Sequence, residues 1–115
     1  MAAGCIFCQI IAGETATEFI YQDEQVVVFK DINPKAPVHV LVMPKEHINS
    51  LNELGPEHNQ LAGTLLTTIV KVAQQLGIKE SGYKTIINTG REGGQLIDHL
   101  HIHVLGGKKV SGFAI

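Results

Sequence analysis

From Asp98 to Leu105 the chain places a histidine at every second position, His99, His101 and His103, with Leu100, Ile102 and Val104 between them. A spacing of two is the period of an extended strand, so the imidazoles project from one face and the aliphatic side chains from the other. The first face is equipped for chemistry and the second for a core. Successive imidazoles on such a strand stand roughly 7 Å apart. Two positive charges at that distance repel by roughly 2.4 kcal/mol at an effective dielectric near 20, about 1.7 pK units, so the row favours neutral rings. Neutral imidazole is what a nucleophile requires, and its neighbours suit phosphoryl oxygens and a leaving group. Two other uses compete: a solvated sheet face, and a metal site in which alternate histidines share one ion and recruit further ligands.

Cys5 and Cys8 are the only cysteines and lie three residues apart. They are too few and too close to staple a secreted scaffold. As a pair they fit small buried side chains, a redox couple, or half of a zinc site that needs two more ligands.

The elements that must position these residues are legible from periodicity. Cys5 to Ile11 has helical spacing, which would put both thiols on one face of a short helix. Phe19 through Phe29 reads as strand, with the β-branched run Val26 to Val28 near its end. Asn33-Pro34-Lys35-Ala36-Pro37 forms a rigid turn, and a strand from Val38 to Met43 follows, carrying His39 and stopped by Pro44. Pro56 to Leu76 repeats apolar residues at Leu61, Leu65, Ile69, Val72, Ala73 and Leu76, the pattern of an amphipathic helix with Pro56 and Glu57 in its first turn and Gly77 beyond its end. Lys84 to Asn88 is a further strand, joined by the glycine-rich loop Thr89 to Gln95 to the histidine strand, about Asp98 to Leu105. The expected fold class is α+β, an antiparallel sheet of about five strands with one long helix and one short N-terminal helix. His58 reads as a solvent-exposed residue near the start of the long helix.

With 115 residues, 44% of them hydrophobic and 17% charged, the chain has the size and composition of one packed domain spanning 1–115. A formal net charge of -2 gives no general attraction to long nucleic acid. No apolar run approaches the roughly 20 residues that span a bilayer, and Met1 to Gly4 has no leader-like pattern, so an intracellular, cytoplasmic location is expected.

The whole pattern resembles the histidine triad family. His99-Leu100-His101-Ile102-His103-Val104-Leu105 fits its signature of alternating histidine and apolar residues, and Gly106-Gly107 follow as in the nucleotide-binding branch. Upstream, Tyr21-Gln22-Asp23, Phe29-Lys30-Asp31-Ile32-Asn33-Pro34, Ala36-Pro37-Val38-His39, Pro44-Lys45, and Asn88 with Gly93-Gly94-Gln95 agree in order and approximate spacing. The resemblance implies that His101 attacks the α-phosphate of a purine nucleotide conjugate, forming a nucleotidyl-histidine that water hydrolyses to a nucleoside monophosphate. It implies His103 against the phosphate, with His39 and His99 completing the imidazole cluster. Phe29, Asp31 and Ile32 would hold the nucleoside, Asp31 on the ribose hydroxyls and Ile32 against the base. Asn88, Gly94 and Gln95 would serve the phosphate. In the absence of the family, Asp31 is equally a turn-initiating residue and the glycines a simple connection.

Bacterial members similar to this chain bind structural zinc through the cysteine pair, a histidine after the Pro-Lys step and the first triad histidine, which correspond to Cys5, Cys8, His47 and His99. The resemblance also implies a homodimer. Where many members carry a serine that helps protonate the leaving group, this chain has Leu96; where a tyrosine is common, it has Asp98; and its sequence ends at Ile115 without a tryptophan-containing tail. Leaving-group preference is thereby open. Cleavage of dinucleoside polyphosphates and non-catalytic nucleotide binding stand beside the conjugate hydrolase as alternatives.

Overall fold

Alternation along three central strands sorts their side chains onto two faces, and each face is buried by a different helix. A computed structural model of the chain describes residues 4–112. Residues 1–3, most of the Met1 to Gly4 stretch read above for a leader-like pattern, and residues 113–115 lie outside that range. In chain order the elements are α1 (Ile6–Ile11), β1 (Phe19–Gln22), β2 (Val26–Lys30), β3 (Val38–Pro44), two 3-10 turns (Leu51–Glu53 and Pro56–His58), α2 (Asn59–Gln75), β4 (Tyr83–Ile86) and β5 (Ile102–Gly106). The strands form one antiparallel sheet in the order β1-β2-β3-β5-β4. This is the α+β architecture that the periodicity implies.

Val26, Val28, Val40, Val42, Ile102 and Val104 pack with Leu61, Leu65, Ile69, Val72 and Ala73 of α2. A fully buried aliphatic side chain contributes roughly 1.5–3 kcal/mol, so this layer is the main reason α2 stays on the sheet. On the opposite face Val27, Phe29, Leu41 and Met43 meet Phe7, Cys8 and Ile10 of α1 and Cys5 at its N-cap. The six-residue α1 covers only part of that face. Histidines occupy the remainder, because β3 and β5 pair with Leu41 opposite His103 and His39 opposite Leu105.

Several boundaries differ from expectation for local reasons. Phe19 to Phe29 is a hairpin, because Asp23 Oδ1 accepts from the backbone N–H of Gln25 (2.8 Å) and Val26 (2.9 Å) and turns the chain. β3 runs through Pro44, which pairs with Val26 at the end of the ladder. Pro56–His58 is a separate 3-10 turn and α2 starts at Asn59. His58 is not a free surface residue: its side chain is 17% exposed, and its Nδ1 accepts from the Gly55 N–H at 3.1 Å. The last strand begins only at Ile102, so His99 and His101 lie in the extended run that leads into it. Among the described residues, no helix is long and apolar enough to cross a membrane.

Candidate functional site

The run from Gln95 to His101 enters the sheet held on both sides: Leu100 donates its N–H to the Ile48 carbonyl (2.7 Å) and is itself 2% exposed in the α2 core. The alternation then turns the imidazoles to the α1 face. None of these rings stands on an open surface, which sets aside the solvated sheet face that the sequence also allowed; His39, His99, His101 and His103 are 4%, 0%, 8% and 9% exposed. His39, His101 and His103 instead form part of the wall of a cavity of about 620 Å³, with Phe7, Asp31, Ile32, Asn88, Gly93, Gly94 and Leu96 among the other lining residues. A cavity of about 710 Å³ at the far end of α2 is lined by Ser81, Tyr83, Lys84, Lys108 and Lys109, without any imidazole or carboxylate. Size favours the latter and chemistry the former; grouped titratable side chains make the smaller cavity the functional candidate.

Hydrogen bonds fix the tautomer of every ring in it. The His99 carbonyl lies 2.7 Å from His101 Nδ1 and can only accept, so Nδ1 carries the proton and Nε2 keeps its lone pair. His39 Nδ1 accepts from the Lys35 backbone N–H at 3.0 Å, which leaves the His39 proton on Nε2. That Nε2 stands 3.0 Å from His103 Nδ1 and 3.4 Å from Asp31 Oδ2. His103 Nδ1 is then an acceptor, and the His103 proton sits on Nε2. The site thus presents one unprotonated nitrogen on His101 beside an N–H donor on His103, with ring centroids 5.2 Å apart. This is closer than the 7 Å backbone spacing because the rings lean together.

Burial keeps these rings uncharged. It lowers the pKa of His101 despite the His99 carbonyl and the Asp31 carboxylate, both of which favour the cation. For His103, burial together with the His101 and His39 rings brings the pKa to about 4. His39 is lowered by burial and by Lys35, with Asp31 opposing.

Asp31 serves the turn and the cavity at once: Oδ1 accepts from the Asn33 N–H at 2.8 Å while Oδ2 faces His39. Ile32 is 97% exposed at the cavity. Phe29 does not line it, being 2% exposed and packed behind Phe7 with ring centroids 5.6 Å apart. Asn88 Nδ2 donates to the Gly93 carbonyl at 2.8 Å and so ties the glycine loop. A Cβ on Gly93 would collide with the Thr89 backbone, which is why that position is glycine. Gln95 does not line the cavity and is spent on backbone groups, since Oε1 accepts from Gly90 N–H (2.9 Å) and Nε2 donates to the carbonyls of Asn49 (2.7 Å) and Ile97 (2.9 Å). His99 likewise does not line the cavity; only its carbonyl reaches the site.

The His99 ring belongs to a second cluster. Its Nδ1 lies 3.5 Å from Cys5 Sγ and 3.6 Å from Cys8 Sγ, and His47 Nδ1 lies 3.2 Å from Cys8 Sγ. The four ligand atoms lie within 4.8 Å of one another, so the group can hold a metal ion. Its outer contacts suit that use. His99 Nε2–H donates to the Pro44 carbonyl (2.8 Å) and His47 Nε2–H to Asn49 Oδ1 (2.7 Å), so both Nδ1 atoms turn bare lone pairs toward the sulfurs. Asn49 is held in turn by Glu53. Asp31, His39 and His103 form another compact group, but there the Lys35 N–H occupies His39 Nδ1 and keeps a proton on Nε2, which suits a relay better than a metal.

Sequence reasoning missed Phe7, Leu41, Pro44, Lys35 and Asn49. Phe7 sits edge-on to His101 (5.1 Å) and His99 (6.0 Å), joining the two clusters; its place between the cysteines was a usable signal. Pro44 and Lys35 act through backbone atoms and leave no residue-type signal.

The family model described as scavenger mRNA decapping enzyme C-term binding matches residues 4–114. The chain is 44% identical over 108 residues to the purine nucleoside phosphoramidase of Escherichia coli K12, covering 94% of this chain and 91% of the relative. It is 47% identical over 102 residues to protein HitA of Neisseria gonorrhoeae, covering 89% and 94%. Among solved structures, a HIT family hydrolase from Clostridium thermocellum superposes with a TM-score of 0.94 at 43% identity over 100% of both chains. A histidine triad protein from Clostridium difficile gives 0.93 at 38% identity over 99% of both.

Proposed function

The chain belongs to the histidine triad family and is a phosphoramidase-like hydrolase or transferase of it, and on that premise we propose that it cleaves purine nucleoside conjugates at the α-phosphate through a covalent bond to His101. The observation that carries this reading is the tautomer of that ring: Nδ1–H is tied to the His99 carbonyl, and Nε2 is left as the unprotonated nitrogen.

In the first step Nε2 of His101 forms a bond to phosphorus. The bond to the leaving amine breaks, its electron pair goes to the amine nitrogen, which takes a proton from solvent at the cavity mouth, while His103 Nε2–H donates to a phosphoryl oxygen. In the second step water attacks phosphorus and gives up its proton to solvent, the phosphorus–Nε2 bond breaks with its electron pair returning to Nε2, and the nucleoside monophosphate leaves. His39 and Asp31 hold His103 in the donor tautomer throughout. Asp31 takes the ribose hydroxyls and Ile32 the base, while Asn88 keeps the loop of Gly93 and Gly94 open so that backbone N–H groups can approach the phosphate. Phe29 and Gln95 act from behind, the one by supporting Phe7 and the other by fastening the loop.

Zinc is the ion proposed for Cys5, Cys8, His47 and His99. With Zn–S near 2.3 Å and Zn–N near 2.0–2.1 Å, a tetrahedron has sulfur-to-nitrogen edges of about 3.5 Å. The observed separations of 3.2 to 3.6 Å match that edge. When bound, the ion would supply a structural crosslink between α1 and the approach to β5.

The same reading includes a single catalytic domain, a cytoplasmic location and a homodimer; exposed Leu66 and Val70 on α2, 60% and 43%, and the edge strand β4 support the last. Incubation with an adenosine 5′-phosphoramidate should release AMP, and His101→Ala should abolish release while circular dichroism is unchanged. Undiminished turnover in that variant rejects the role of His101. Tight binding of AMP without hydrolysis of any conjugate would instead make the chain a nucleotide-binding scaffold.

A further inference from the structure

Seven large apolar side chains are exposed among the described residues, five of them by 37% to 60%, whereas Ile32 and Leu96 are 97% and 94% exposed. These two line the same cavity, from separate connections: Ile32 between β2 and β3, Leu96 between β4 and β5. A single exposed leucine is ordinary; the two most exposed at the mouth of one polar-floored cavity mark contact with a ligand.

Building on the function proposed above, we infer that Leu96 is a specificity-determining residue that selects conjugates whose leaving group is an apolar aryl or alkyl amine. A nucleotide conjugate extends from its phosphorus in two directions. Asp31 and Ile32 occupy the nucleoside end, and Leu96 follows the Gly93-Gly94 segment at the phosphate end. In-line displacement places the leaving group on the side of phosphorus away from His101, so it is directed outward to the rim and not into the buried rings. Side chains offered there are Leu96, the half-buried Ile97 and the exposed Glu92. Leu96 and Ile97 favour an apolar group, and the Glu92 carboxylate disfavours an anionic one such as a further phosphate or a free carboxylate. No hydroxyl at position 96 offers the leaving nitrogen a hydrogen bond, so recognition rests on apolar contact.

Two adenosine 5′-phosphoramidates test this, one of phenethylamine and one of ethanolamine, which share the reacting bond and differ in the polarity beyond it. Wild-type kcat/KM should favour the phenethyl conjugate about tenfold, the scale of one added apolar contact in a pocket. Leu96→Ser should bring the ratio close to one, and Leu96→Met should restore it. A side chain 94% exposed supports no packing, so either variant should fold normally. A wild-type ratio of one or less, or a ratio unchanged within twofold in Leu96→Ser, overturns the role of Leu96 while leaving the conjugate hydrolase standing. Failure of the wild type to turn over either compound removes both.

Discussion

Acidification should loosen the fold through His103 in particular. Its pKa is about 4 in the folded chain against an ordinary value of 6.5, because burial and the neighbouring His101 and His39 rings penalise the cation. Between those values the unfolded chain binds more protons than the folded one. The stabilisation is therefore complete above 6.5 and is lost as pH falls from 6.5 toward 4. Integrated from pH 7 to pH 5, a shift of that size is about 2 kcal/mol. Urea unfolding at the two pH values measures it, with wild type compared against His103→Gln. The comparison matters because acid also weakens any ion held by Cys5, Cys8, His47 and His99, and that contribution is common to both proteins provided metal content is matched. Glutamine retains an acceptor for His39 Nε2–H but cannot titrate. Wild type should lose about 2 kcal/mol more than the variant, a midpoint change on the order of 1 M urea. Parallel losses in the two proteins would refute the claim that burial holds His103 neutral.

Two more outcomes follow from the same geometry. Gly93→Ala should lower kcat/KM by about tenfold or more, because the loop must move to relieve contact with the Thr89 backbone and positioning of the phosphate fails; a steady-state assay giving wild-type rates would show the loop is not a phosphate cradle. Protein purified without added metal should carry about one equivalent of zinc per chain, and its removal by a chelator should lower the melting temperature by about 5 °C or more. Elemental analysis finding under about a tenth of an equivalent, with intact thiols, would rule the ion out.

Much of this was readable from residue types, and what was not has physical causes. Alternation from His99 to Val104 assigned the two faces correctly, since one strand residue out of register would have reversed both. The extent of β5 was misjudged because a strand's length depends on which neighbours pair with it, and those lie in β3 and β4. The hairpin at Asp23 was hidden by the β-branched residues around it, although aspartate at that position is a turn former. His39, His101, His103 and Asp31 come together at the cavity, and Cys5, Cys8, His47 and His99 form the separate cluster, able to hold a metal ion, that the resemblance implied. Burial of the rings was not foreseen: period two shows that a face is polar, not that α1 covers part of it. The tautomers were beyond the sequence, because they are dictated by the carbonyls of His99 and Pro44 and the N–H of Lys35, atoms that every residue possesses. Phe29 and Gln95 match the family pattern, yet the structure sets them behind the cavity wall.

The most direct test is to quench the wild-type protein during turnover of an adenosine 5′-phosphoramidate and locate any adduct by peptide mass spectrometry under conditions that preserve phosphorus–nitrogen bonds. An adenylyl group on His101, formed fast enough to account for product release, is the predicted result. An adduct on His103 or His39, or turnover with no adduct at any time point while His101→Ala stays active, would contradict the assignment of the unprotonated Nε2 as nucleophile.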